Sequence, residues 1–380
     1  MYLGHSYREH ASLIARLMAI NWIVVALICL LGGIGVALLY SAAGADFDPW
    51  ATRHMTRLAL GFGIMLAAAV VDLRLWLRHA YWVFFVALVL LGMVELFGVG
   101  AMGAERWLVV GPVRVQPSEI MKVALVLALA RYFHRLNFDD IGRPHYLIPP
   151  LLLIALPVAM VLRQPDLGTA GVLLMLGVVM FFLAGVRWWK FALGAALAVA
   201  AVPVAWRYVL HGYQKRRLLA FLDPESDPLG AGYHILQSKI ALGAGGLSGK
   251  GFLEGSQSHL NFLPEIQTDF IFTILAEEFG LLGGLGLLAL YGLFIVYAVR
   301  IAIGSRNQFG RLVAAGISAL VFLHVFINMA MVMGLVPVVG VPLPLVSYGG
   351  TALLSLMFGF GLVLSVYVHR DARIGRWEDE

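Results

Sequence analysis

The chain has 380 residues, of which 61% are hydrophobic and only 13% charged, and its mean hydropathy is +0.87. Continuous, non-alternating apolar runs exclude a soluble domain and a β-barrel, because a backbone in hydrocarbon must satisfy its own hydrogen bonds and helices do this within one segment. A net charge of +5 without basic clusters interleaved with aromatics excludes nucleic-acid binding, and a single cysteine excludes an internal disulfide framework.

Hydropathy predicts ten membrane spans, over residues 20–41, 56–71, 81–99, 118–134, 146–163, 168–186, 189–208, 270–300, 310–334 and 349–368. Residues 1–19 contain Glu9 and other polar groups and lack a small-residue cleavage site. They read as the approach to an uncleaved first span, not as a signal peptide. Ten spans bring both termini to one side. The short connections on that side hold fifteen Lys and Arg, against five on the other: Arg53, Arg57, Arg106, Arg114 and Arg163. The positive-inside rule therefore places both termini in the cytoplasm and the long connection at 209–268 outside. No internal repeat is visible. The expected fold is a single all-α integral membrane domain covering 1–380, a bundle of about ten transmembrane helices filling 20–370, with one long extracytoplasmic loop between spans 7 and 8.

Within that loop, "AGYHILQSKIALGAGG" (231–246) interleaves apolar and polar residues and predicts a short amphipathic helix on the outer surface. The apolar run from Phe270 to Arg300 is too long for one upright span, at about 1.5 Å per residue against a ~30 Å core. Residues 281–300 suffice to cross. The preceding "DFIFTILAEEFG" (269–280) is expected to form helical turns at the outer interface, which would keep Asp269, Glu277 and Glu278 in a water-facing cleft.

Several polar constellations could carry chemistry. "QPSEIMK" (116–122) opens the fourth span, with Ser118 as a cap candidate and Glu119 and Lys122 three apart on one helical face. An ionisable pair at a span's end is a functional-site candidate, and a structural salt bridge weighs equally. "MGAERWL" (102–108) supplies Arg106 and Trp107, which also fit an interfacial aromatic with a snorkelling arginine. In "RQPDLGTAG" (163–171), Asp166 can cap the sixth span. Lys215, Arg216 and Arg217 form a cation run on the outer side, against the positive-inside trend, which fits either a solvated charge run or a face turned to a phosphate. Arg106 and Lys239 complete the candidate phosphate-binding set.

His324 and Asn328, four apart on the ninth span, read as an interhelical hydrogen-bonding pair in preference to a relay. "GVPLPLVSYGG" (340–350) breaks into the last span, so it either lines a cavity or packs as a loop. "GAGGLSGKG" (243–251) fails as a phosphate loop: Ala244 stands at the first glycine position and Gly251 follows Lys250. Metalloprotease and serine-hydrolase motifs and metal-spaced Cys/His clusters are absent from the sequence.

Taken together, "RWL", "QPSEIMK", "QPDLGT", "DPESDPLGAGYHILQSKIALGAGGLSGKG", "LPEIQTDFIFTILAEE" and "VPLPLVSYGG" resemble the signature stretches of the SEDS family, over about residues 20–370. The wording "DPESDPLGAGYH" and "PLVSYGG" is more similar to the RodA branch than to the division branch, FtsW. This resemblance implies a polymerase of peptidoglycan glycan strands in the bacterial cytoplasmic (inner) membrane, with its active face outward. It would consume lipid II and work with a class B penicillin-binding protein, a PBP2-type transpeptidase, among other elongation-complex membrane proteins.

It further implies that Asp269 is catalytic, that Glu119, Lys122 and Trp107 line the central cavity and that Arg217 is the loop arginine; Ser118, Asp166 and Gln267 complete the set of candidate cavity and support residues. Many members carry His where this chain has Gln267, which places more weight on Asp269. Positive charge on Arg216, Arg217 and Lys122 would receive the departing pyrophosphate. A divalent cation could share that role, but no dedicated site is visible. Competing readings are a lipid II flippase, a non-catalytic scaffold for the transpeptidase and, for Asp269 alone, a helix cap.

Overall fold

The computed structural model describes residues 12–101, 104–111, 113–137, 139–210, 212–223, 231–255 and 265–375. The predicted spans appear as α2 (Trp22–Ala42), α3 (Ala51–Val70), α4 (Leu73–Phe97), α5 (Pro117–Arg135), α6 (Pro144–Arg163), α7 (Leu167–Ala184), α8 (Trp188–Val204), α11 (Ile271–Gly304), α12 (Gln308–Val332) and α13 (Gly350–Val368). A short α1 (Leu13–Met18) precedes them, and a π turn over Ala205–Val209 extends α8. Side chains of Asn21, Asp72, Asp166 and Asn307 accept backbone N–H groups at the starts of α2, α4, α7 and α12. The hydropathy reading starts α3 and α4 too late, because their first two turns carry Arg53, His54, Arg57, Arg74 and Arg78.

Eight of these helices are long and apolar enough to cross a membrane; α3 and α5 are not among them. α5 carries Glu119, Lys122 and Arg131 because protein surrounds it instead of lipid: nearly all its residues are buried, and it packs against α4, α7, α12 and α13. α8 is the opposite case and buries no residue.

The end of the bundle that carries the long connection departs from a simple loop. Residues expected as loop form a small antiparallel sheet, β1 (Val99–Ala101), β2 (Ala104–Val110) and β3 (Val113–Val115), in the order β1-β2-β3. The long connection contains α9 (Gly212–Leu222) and the expected amphipathic helix, α10 (Ala231–Ala244). The characteristic stretch 224–230 lies outside the described residues.

α11 is broken at Gly280 (φ 63°, ψ −158°), which separates the turns over 271–279 from a span that starts at 281, as the length argument requires. The glycine-rich stretch 243–251 clasps the break. Leu281 and Leu282 N–H groups bond the Gly246 and Leu247 carbonyls, and Lys250 and Gly251 N–H groups bond those of Glu277 and Glu278. The clasp needs glycine where the two segments meet, since a Cβ on Gly245 would lie 1.8 Å from the Ala276 carbonyl oxygen and one on Gly249 2.1 Å from that of Glu278.

Glu277 and Glu278 are not in a water-facing cleft as the sequence reading expected. Both are buried within protein. Glu277 is paired with Lys250 at 2.6 Å, and Glu278 accepts from the Ser41 hydroxyl. The partners that make burial tolerable lie far away in sequence.

Candidate active site

Asp269 lies two residues before α11. The expected alternative for it, a helix cap, does not apply: Phe270 occupies the cap position and no side chain caps the helix. The backbone around Asp269 is held by three successive anchors. Tyr348 N–H donates to the Gln267 carbonyl at 2.8 Å, Ser347 Oγ to that of Thr268 at 2.5 Å, and Asn328 Nδ2 to that of Asp269 at 2.9 Å. Two anchors come from the broken segment 340–350, which packs into the bundle with Val341, Leu343, Leu345 and Val346 buried. His54 Nε2 meets its Leu345 carbonyl at 3.0 Å, and Tyr291 donates to its Pro344 carbonyl at 2.5 Å.

The Asp269 carboxylate lies against Gly340, where an added Cβ would approach Oδ2 to 3.3 Å. Close by is a cavity of about 170 Å³ lined by Arg106, Asp166, Gln214, Arg217, Pro337 and Val339, among others. Arg217 Nη1 donates to the Val338 carbonyl at 3.4 Å, and Arg106 Nη2 to that of Pro165 at 3.2 Å. Asp166 caps α7 as expected, accepting from Thr169 N–H at 3.1 Å and Thr169 Oγ1 at 2.9 Å, and it also meets Arg106 Nε at 3.5 Å.

Burial, reinforced by the nearby Glu265 carboxylate, raises the Asp269 pKa to about 7. Arg217 and Arg106 oppose that rise, and Asp166 adds to it. The result is a half-buried carboxylate that exchanges a proton near neutral pH, beside two arginines. This is the pairing that acid–base chemistry on a phosphate-bearing molecule requires.

The other sequence candidates fall into two groups. Glu119 and Lys122 form a fully buried ion pair, with Nζ 2.7 and 2.8 Å from the two carboxylate oxygens and 2.9 Å from His324 Nε2. The Lys122 charge is therefore engaged inside the bundle and is not presented at the cavity with Arg106 and Arg217. Ser118 is buried beside them, one position past the Pro117 that opens α5, and it does not act as the cap. Trp107 is half-buried on β2, and the Gln267 side chain donates to Glu265 at 3.4 Å. Arg216 is exposed on α9, and Lys239 is exposed on α10 across the turn at Gly334.

Asn328 is the residue whose role the sequence reading missed. His324 makes an interhelical contact, to Lys122, whereas Asn328 donates to two backbone carbonyls outside the helices, those of Asp269 and Val341. A polar residue one turn from a histidine on an apolar helix was the available signal. No group of three His, Cys, Asp or Glu suited to a metal ion occurs among the described residues. Asp166 is already committed to Thr169 and Arg106. The donors at the cavity do not fit a dedicated divalent-cation site, and no step below passes through one.

The family model of the FtsW/RodA/SpoVE cell cycle proteins matches residues 18–372. This chain belongs to that family. It is 47% identical over 335 residues to the peptidoglycan glycosyltransferase MrdB of Escherichia coli K12, covering 88% of this chain and 89% of the relative. Its fold is similar to a chain in a structure described as "Structural coordination of polymerization and crosslinking by a peptidoglycan synthase complex", with a TM-score of 0.81 at 32% identity, covering 95% of this chain and 99% of that one. A crystal structure of the Thermus thermophilus rod shape determining protein RodA matches at a TM-score of 0.70 and 29% identity, over 93% of this chain and 98% of the other. The FtsW/RodA/SpoVE match spans all ten long helices, so the site is built on the family's fold and not on an added module.

Proposed function

We infer that this chain is a peptidoglycan glycosyltransferase of the RodA branch that polymerises lipid II into glycan strands during cell elongation, with Asp269 as its general base. One arrangement carries the assignment of Asp269: it sits on a backbone pinned at three successive carbonyls, in the field of Arg106 and Arg217, where burial raises its pKa to about 7.

In the reaction the 4-hydroxyl of an acceptor sugar attacks C1 of a donor sugar. The new C–O bond forms as the C1–O bond to undecaprenyl pyrophosphate breaks. Asp269 takes the hydroxyl proton, a contribution of typically about 10²–10⁴ in rate. Arg106 and Arg217 stabilise the negative charge gathering on the departing pyrophosphate; their guanidiniums are already oriented by the carbonyls of Pro165 and Val338. Glu119, Lys122 and His324 brace α5 against α12 beneath the site, which makes them supports.

A class B penicillin-binding protein is the partner that this reading calls for, consistent with the synthase complex among the structural relatives. The Lys and Arg bias of the short connections supports cytoplasmic termini and a site that faces outward. Impermeant thiol labelling of Lys239→Cys and Arg306→Cys, each in a Cys29→Ser background, reads that topology: Lys239→Cys should label from outside whole cells and Arg306→Cys should not.

The deciding experiment compares the native chain and Asp269→Asn, each with its transpeptidase, for glycan formation from labelled lipid II at matched stability and complex yield. Loss of polymer in an assembled complex supports the base. Normal polymer from the variant removes Asp269 from the chemistry, and translocation of lipid II would then be assayed directly.

A further inference from the structure

We propose that the end of the bundle bearing the termini carries a binding site for the phosphodiester headgroup of an anionic phospholipid, between the start of α4 and the last turns of α5. A groove of about 620 Å³ there is lined by Arg78, Tyr81, Trp82, Phe85 and Arg131. It lies at the opposite end of α5 from Glu119 and is separate from the cavity beside Asp269.

The groove has a fixed cationic floor. Arg131 is 9% exposed, Nη1 donates to the Arg78 carbonyl at 2.6 Å, and its guanidinium stacks 4.6 Å from the Tyr81 ring centre. A guanidinium held in one plane loses little freedom when it takes up a phosphate oxygen. Arg78 is exposed, and none of the ion pairs found among the described residues engages it.

The apolar wall follows from helical spacing. Residues 78, 81, 82 and 85 fall on one face of α4. Trp82 and Phe85 are 65% and 54% exposed and stack edge-to-face, with ring centres 6.2 Å apart. Moving along α4 away from its start, the groove passes from arginine to aromatic, matching the passage from headgroup to acyl chain. Arg78, exposed at the side of the groove, suits a lipid of net negative charge over a zwitterionic one, and basic pockets between spans at the cytoplasmic surface are known to hold such headgroups.

The test uses the full-length protein, delipidated in detergent, titrated with short-chain phosphatidylglycerol, short-chain phosphatidylcholine or glycerol phosphate. Retained adducts are counted by native mass spectrometry, and thermal stability is read in parallel. The expected result is saturable retention of phosphatidylglycerol only, with apparent affinity about tenfold weaker in Arg78→Gln, the loss of one charge-assisted contact.

Trp82→Leu, which leaves both arginines in place, should lower retention of phosphatidylglycerol without introducing retention of phosphatidylcholine. Equal retention of the two lipids, or of phosphatidylglycerol by native and Arg78→Gln proteins, overturns the proposal. Equal affinity for glycerol phosphate assigns the groove to a free phosphate and overturns the lipid as its occupant. The readout is binding, so it stands or falls apart from glycan polymerisation.

Discussion

Asn328 on α12 donates both of its Nδ2 hydrogens to backbone carbonyls, one to Asp269 at 2.9 Å and one to Val341 at 2.8 Å. A single amide thus ties the carboxylate-bearing segment to the broken segment that carries Gly340. Asn328→Ala leaves two carbonyls unpaired where no water replaces the donor easily, a cost of about 1–3 kcal/mol each. Misplacing a base by about an ångström costs on the order of a hundredfold in rate. The expected outcome is a folded, less stable protein whose kcat for lipid II falls about ten- to hundredfold with little change in KM. A raised KM with native kcat would show that Asn328 serves substrate binding instead.

The pH profile tests the environment of Asp269. A general base acts when deprotonated, so the acid limb of kcat/KM should have its midpoint near the raised pKa, about 7. Arg217 lowers that pKa and Glu265 raises it. Arg217→Gln should therefore move the limb to higher pH and Glu265→Gln to lower pH. Shifts in the same direction, or none, would detach the limb from Asp269.

Much of this architecture is legible in the sequence, for identifiable reasons. Span positions follow from apolar runs. Asp166 is readable as a cap because capping is local, and the break near 280 follows from arithmetic on the length of a bilayer-crossing helix. What fails to show is long-range. Ser41 and Glu278 are 237 residues apart, and nothing near Glu278 announces a partner. Asn328 reaches Asp269 across 59 residues of chain. The β1-β2-β3 sheet is missed because two of its strands are only three residues long, shorter than any periodicity window. Lys122 reads as a cation for pyrophosphate until His324, 202 residues on, is seen to close its coordination.

The kink in α11 should be intolerant of side chains. Gly280 combines positive φ with ψ of −158°, a region open essentially to glycine alone, and an added Cβ would lie 2.4 Å from the Gly249 nitrogen. Gly280→Ala is expected to lower stability by about 1–3 kcal/mol from backbone strain, with a further loss as the clasp shifts away. Thermal unfolding in detergent measures it. Gly286→Ala, where the same helix has open space, is the control and should be near neutral.

The Glu119–Lys122 pair separates a brace from a substrate contact. Removing one partner leaves an uncompensated buried charge, and breaking such pairs costs about 3–5 kcal/mol. Lys122→Met and Glu119→Gln should each be poorly stable. The double variant carries no net buried charge and should regain much of that stability, since neutral replacement of a buried pair is often nearly cost-free. If the pair only braces α5 against α12 through His324, polymerisation returns with stability in the double variant. A double variant as stable as the native protein but inactive would mean that Lys122 leaves Glu119 during turnover and reaches the pyrophosphate, a motion that requires the 2.7 Å contact to open.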